Sequence, residues 1–101
     1  MKAKHLIEEN NRKREQLTPE NEKYYSDMLI YIRLQLTLSE QQSEEVLMEM
    51  LDHVLDGQNE GKTARDIFGD DPKQYADEII LNLPKEKQRE VIPFVSRLVL
   101  D

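Results

Sequence analysis

The stretch Thr18-Pro19-Glu20-Asn21-Glu22-Lys23-Tyr24-Tyr25-Ser26-Asp27-Met28-Leu29-Ile30-Tyr31-Ile32-Arg33-Leu34-Gln35-Leu36 decides the fold of this chain. Thr18 offers a hydroxyl to the free backbone N–H groups of a first helical turn. Pro19 follows at the one helical position where a missing N–H does no harm. Glu20 and Glu22 place negative charge at the positive end of the helix dipole. Tyr25, Met28, Leu29, Ile32 and Leu36 then fall at i, i+3, i+4, i+7 and i+11, on one helical face. Tyr24, Ile30, Tyr31 and Leu34 widen that face beyond a stripe, and a helix apolar on several sides is buried on several sides. The spacing predicts a helix over 19–37 at the centre of an all-α fold.

The same grammar continues downstream. Ser39-Glu40-Gln41-Gln42 is a capping box, in which Ser39 serves the third helical N–H and Gln42 reaches back. It opens a helix from Glu40 to about Asn59 with a core stripe of Leu47, Met50, Leu51, Val54 and Leu55. The opposite face carries Glu45, Glu49, Asp52, Asp56 and Glu60. Gly57 is a weak point within this helix, and Gly61 suits the left-handed position after its end. Thr63-Ala64-Arg65-Asp66 is a second, tighter cap that opens one or two turns ended by Gly69. Asp71 and Pro72 start another helix with Tyr75, Ala76, Ile79, Ile80 and Leu83 inward, and Pro84 closes it. Residues 85–100 form the last helical stretch, kinked or divided at Pro93. No alternating strand pattern runs longer than four residues, so five or six helices are expected. Residues 1–18 read as a basic arm or marginal helix ahead of a single helical domain, 19–101. Helix propensity alone seldom holds so short a segment in water.

Charge narrows the function. The chain has 101 residues with 21 acidic and 14 basic side chains, a net of −7. Such a balance opposes non-specific attraction to nucleic acid or anionic lipid, both polyanions. Residues 39–60 hold seven acids and no base, as large a charge as the whole chain's net. Residues 1–18 carry the opposite sign, with Arg12, Lys13 and Arg14 clustered. With no cysteine, disulfides and thiolate chemistry are excluded. Met1 to Asn10 lacks the apolar core of a signal peptide. The longest apolar stretch, 91–100, is about half of a membrane span. A cytoplasmic location is the expectation.

No catalytic or cofactor site is expected. Glu49 with His53, and Asp52 with Asp56, share a helix surface at i, i+4. One exposed helix, however, supplies no enclosing outer shell for a metal. The Glu-x-x-His pair of ion-binding bundles is absent, because Met50 stands three before His53. Asp56 to Ile67 begins like a calcium loop but ends on Ile67 where a bidentate glutamate is required. Neither a phosphate loop nor a zinc-protease motif occurs. Three basic residues in the arm are fewer than the broad basic surface of a nucleic-acid reader, though they leave that class, beside a weak divalent-metal site on the acidic helix, as the alternative. Val91, Ile92, Val95 and Val99, with Phe94 and Leu98 beside them, are enough apolar surface for core packing or for a partner or homodimer contact.

Residues 57–83 carry Gly61-Lys62-Thr63-Ala64-Arg65 and Phe68-Gly69-x-x-Pro72-x-x-Tyr75-Ala76-x-Glu78 after a capped acidic helix. This pattern resembles the HAAS-type small helical signalling domains of Gram-positive bacteria. The resemblance covers roughly residues 19–83. It implies a compact superhelical array of short helices around the helix at 19–37. It also implies a regulatory module that accompanies PadR-like transcription regulators and often precedes membrane helices. This chain reaches Asp101 without a spanning segment, which favours a free-standing role. The expected function is therefore a regulatory protein–protein interaction domain, with no catalysis. The candidate contacts are Glu45, Glu49, Asp52 and Asp56, with Phe94 and Leu98 as apolar anchors.

Overall fold

Four helix starts were legible as caps, and all four form. In a computed structural model that describes residues 1–83, the Thr18 hydroxyl accepts from Asn21 N at 3.3 Å. Ser39 Oγ accepts from Gln42 N at 3.1 Å, while Gln42 Oε1 accepts from Ser39 N at 3.0 Å. Thr63 and Asp66 repeat the reciprocal pair at 3.1 and 2.9 Å. Asp71 Oδ1 accepts from Lys73 N at 2.9 Å. The resulting elements are α1 (Ala3–Arg14), α2 (Pro19–Arg33), α3 (Glu40–Asn59), α4 (Ala64–Phe68) and α5 (Pro72–Leu81). The fold is all-α, and the described residues contain no strand.

Helix α2 contacts α3, α4 and α5, so it is central as its broad apolar surface requires. It runs antiparallel to α3: Thr18 N meets Gln58 Oε1 at one end, Tyr25 OH donates to the Leu47 carbonyl, and Arg33 meets Glu44 at the other. Tyr25, Met28 and Ile32 from α2 are fully buried, as are Leu47, Leu51 and Val54 from α3. The short α4 adds Ala64 and Phe68 to that core. The Phe68 ring lies between Tyr24 and Tyr75, with centroids 6.2 and 4.6 Å away. Gly61 and Gly69 both take positive φ, +79° and +97°, where a side chain would be strained.

Residues 3–14 form a regular helix that lies along α3 and parallel to it. Met1 O accepts from Gln41, Lys13 reaches Asp52, and Gln16 O accepts from Gln58. Its N-terminus has no side-chain cap. Packing therefore supplies what propensity does not. Leu6 is buried, and so is Asn10, whose Nδ2 donates to Tyr25 OH at 2.5 Å. Asn10 Oδ1 has no partner among the described residues. An unmet buried acceptor costs about 1–3 kcal/mol.

The apolar pattern of α2 overreached at its C-terminal end. The helix stops at Arg33, not 37, and Leu36 is 92% exposed. Ile30 and Leu34 are also exposed, despite widening the apolar face. The cause is a turn, Gln35 N to Ile32 O and Leu38 N to Gln35 O, which reverses the chain into α3. Only Leu38 of this apolar run after Arg33 returns to the core.

Candidate functional site

Helix α3 carries six acids and no base, and its core stripe leaves four of them one outer face. Leu47, Met50, Leu51 and Val54 face inward. Glu45, Glu49, Asp52 and Asp56 are exposed, as their spacing required. At 1.5 Å per residue the four span about 16 Å of helix. Glu45 Oε2 accepts from Gln41 Nε2 at 3.3 Å. The Glu49 and Asp56 side chains have no hydrogen bond or salt bridge to another described residue. Asp52 is different: Lys13 Nζ of α1 lies 2.7 Å from its Oδ1. The acidic ridge is thus already engaged by one basic residue of the same chain.

Glu44 breaks from the others on its helix. It is buried, and Arg33 holds it through two parallel bonds, Nε to Oε2 at 2.9 Å and Nη2 to Oε1 at 2.8 Å. That pairing, together with the Glu44 charge, outweighs the opposing effect of burial and leaves the Arg33 guanidinium more firmly protonated than usual. Spacing alone did not single out this structural pair.

The basic cluster is spent within the molecule. Arg12 pairs with Glu9 and Lys13 with Asp52. Arg14 Nη2 donates to Glu22 Oε1 at 2.5 Å and to Ser26 Oγ at 2.8 Å. The Arg14 guanidinium also sits 5.8 Å above the Tyr25 ring. Burial alone would raise the Glu22 pKa, but the bonds from Arg14 and Ser26 outweigh it and hold the carboxyl below its ordinary value.

Two polar side chains that sequence reasoning passed over tie the helix ends together. Asn21 is buried at the start of α2; its Nδ2 donates to Gln58 Oε1 at 3.1 Å and its Oδ1 accepts from Ala64 N at 2.7 Å. Gln58 Nε2 in turn donates to Gln16 O at 2.8 Å. An amide in the first turn of a central helix was the available signal. His53 is exposed, and no group of three or more His, Asp or Glu among the described residues is placed to hold a metal ion. Phe94 and Leu98, with the rest of the C-terminal apolar stretch, lie outside the described residues. No described helix is long and apolar enough to cross a membrane.

The model of a protein family of unknown function, DUF1129, matches residues 16–101. No curated protein and no solved structure matches the chain. The match overturns the resemblance to HAAS-type domains, which are a different family. The physical reason is plain in the structure. Thr63, Asp66, Gly69, Asp71 and Pro72 are caps and turn residues, and any chain that must start short helices at close intervals uses them. With the resemblance goes the only ground for naming a PadR-like regulator as partner.

Proposed function

The chain belongs to the DUF1129 family, which brings no activity with it, and we propose from the geometry that it is a protein–protein interaction domain. The outer face of α3 receives a basic segment of the partner. The observation that carries this is the Lys13–Asp52 pair at 2.7 Å: the ridge already accepts a basic helix in cis. Glu45, Glu49 and Asp56 remain exposed along the same ridge. Acid-on-base contact of this kind speeds encounter more than it tightens binding.

The alternative, a nucleic-acid regulator reading phosphates through the arm, has less support. Arg12, Lys13 and Arg14 are each paired with a carboxylate of the same molecule. Phosphate binding would first have to break those pairs. The test is charge reversal at the carboxylates that do not hold α1, Glu45→Lys, Glu49→Lys and Asp56→Lys together. The expected result is loss of salt-sensitive retention of basic proteins on the immobilised chain, with helicity by circular dichroism unchanged. Equal retention by the variant and the parent would overturn the reading.

A further inference from the structure

Three observations bear on how helix α1 is held. The family match begins at residue 16, after α1 has ended at Arg14. Only Leu6 and Asn10 of its twelve residues are buried, and Asn10 keeps an acceptor with no partner. A groove also stays open beside it, where Ile7 faces Arg33, Leu38, Ser43 and Glu44. A segment belonging fully to the core would fill its groove and satisfy its polar atoms.

What α1 presents to α2 and α3 is nonetheless a defined stripe. Leu6, Asn10 and Lys13 stand at i, i+4 and i+7, one helical face. They supply an apolar anchor, an amide that reaches Tyr25, and a cation that reaches Asp52. Arg14, one residue on, adds the contact to Glu22.

We infer that the surface of α3 beneath α1 is a docking groove for a basic amphipathic helix, and that α1 is its built-in, exchangeable occupant. The inference rests on the interaction-domain reading above and deepens it. The partner carries an apolar residue, a polar residue four later and a basic residue three after that. It gains the groove by displacing α1, so α1 is an autoinhibitory helix. The short link Glu15-Gln16-Leu17 keeps the displaced helix at high local concentration, which sets the affinity a partner must exceed.

The test uses the full chain and a labelled peptide of residues 1–16 as probe. In the double variant Leu6→Glu with Lys13→Glu, tryptic cleavage at Arg14 should accelerate while cooperative melting persists. That variant should bind the peptide at least tenfold more tightly than the parent, whose groove is filled. Adding Asp52→Lys should abolish the binding. Release of α1 with no peptide binding would overturn the inference, as would equal binding by variant and parent. Self-association of the variant in place of peptide binding would assign the groove to a second copy and would also overturn it. Should the variant fail to fold, hydrogen exchange on the unaltered chain decides. Amides of α1 must exchange through an opening that leaves α2 and α3 protected; exchange of α1 only with global unfolding refutes exchangeability. Failure here leaves the Glu45, Glu49 and Asp56 reversal untouched, because none of those residues contacts Lys13.

Discussion

Tyr25 is the residue on which three helices meet. Its ring is fully buried in α2, its hydroxyl donates to the α3 carbonyl of Leu47 at 3.1 Å, and it accepts from Asn10 of α1. Tyr25→Phe removes the hydroxyl and leaves the buried Asn10 amide unserved, so a loss of about 1–3 kcal/mol is expected in urea unfolding. Asn10→Leu has the opposite sign. It deletes the unpartnered Oδ1 and leaves the Tyr25–Leu47 bond, so the midpoint should hold or rise. Nearby, Tyr24 donates to the Gly69 carbonyl at 2.8 Å. Burial pushes its pKa up to about 12, and burial pushes Tyr25 upward as well against the Asn10 bond and the Arg14 charge. A folded pKa above the unfolded value of about 10 favours the neutral phenol in the fold. The resulting stability is whole below pH ~10 and lost as pH rises through the folded values. Tyrosinate absorbance at 295 nm should therefore rise in two phases, the later one coinciding with alkaline unfolding. A single phase near pH 10 with the fold intact would contradict this.

At the scale of the element, the caps decide where helices begin and the tertiary contacts decide where they end. In α4 the reciprocal Thr63–Asp66 bonds support a helix of only five residues. Thr63→Ala should cost about 1 kcal/mol in chemical denaturation. The bonds to the Thr63 backbone and side chain hold the Asp66 carboxyl below its ordinary pKa. A depressed acid stabilises the fold above its unfolded pKa, and that contribution disappears as pH falls through the folded one. The acid limb of the stability curve should therefore be shallower in Thr63→Ala than in the parent; coincident limbs would show that the cap bears no pH dependence. Gly57 in α3 is an element-level surprise. Alanine in a helix interior is ordinarily favoured over glycine by about 1 kcal/mol. Here an added Cβ would collide with the Ile67 side chain of α4. Gly57→Ala is expected to bring no gain in melting temperature, whereas Gly57→Ala combined with Ile67→Ala should recover part of it relative to Ile67→Ala alone.

For the whole molecule, the arrangement of helices explains why so acidic a chain holds its basic residues close. Arg14 with Glu22, Lys13 with Asp52 and Arg33 with Glu44 join α1 to α2, α1 to α3 and α2 to α3. The exposed pairs each contribute little. Arg33–Glu44 is unlike them because Glu44 is buried, so Arg33→Ala would leave a carboxylate without its partner. A loss of about 2 kcal/mol is expected by thermal melting, discounted for the partial exposure of Arg33. Replacing both partners, Arg33→Met with Glu44→Met, should recover most of it.

The helices from Pro19 to Leu81, their caps, and the acidic ridge were legible because they rest on contacts within four residues. The hydroxyl of Ser39 or Thr63 finds its N–H wherever the chain turns into a helix, and the i, i+4 carboxylates share a face in any helix. Where α2 stops was not legible, because Arg33 meets Glu44 only once α3 has folded back; the spacing of Leu34 and Leu36 fits a longer helix equally well. The place of α1 was not legible either. Its Leu6, Asn10 and Lys13 have meaning only against Tyr25 and Asp52, fifteen and thirty-nine residues away from their partners Asn10 and Lys13. The local periodicities of the sequence determined the helices and the charge of their faces. The tertiary structure alone decided which of those faces is covered, because burial depends on partners distant along the chain.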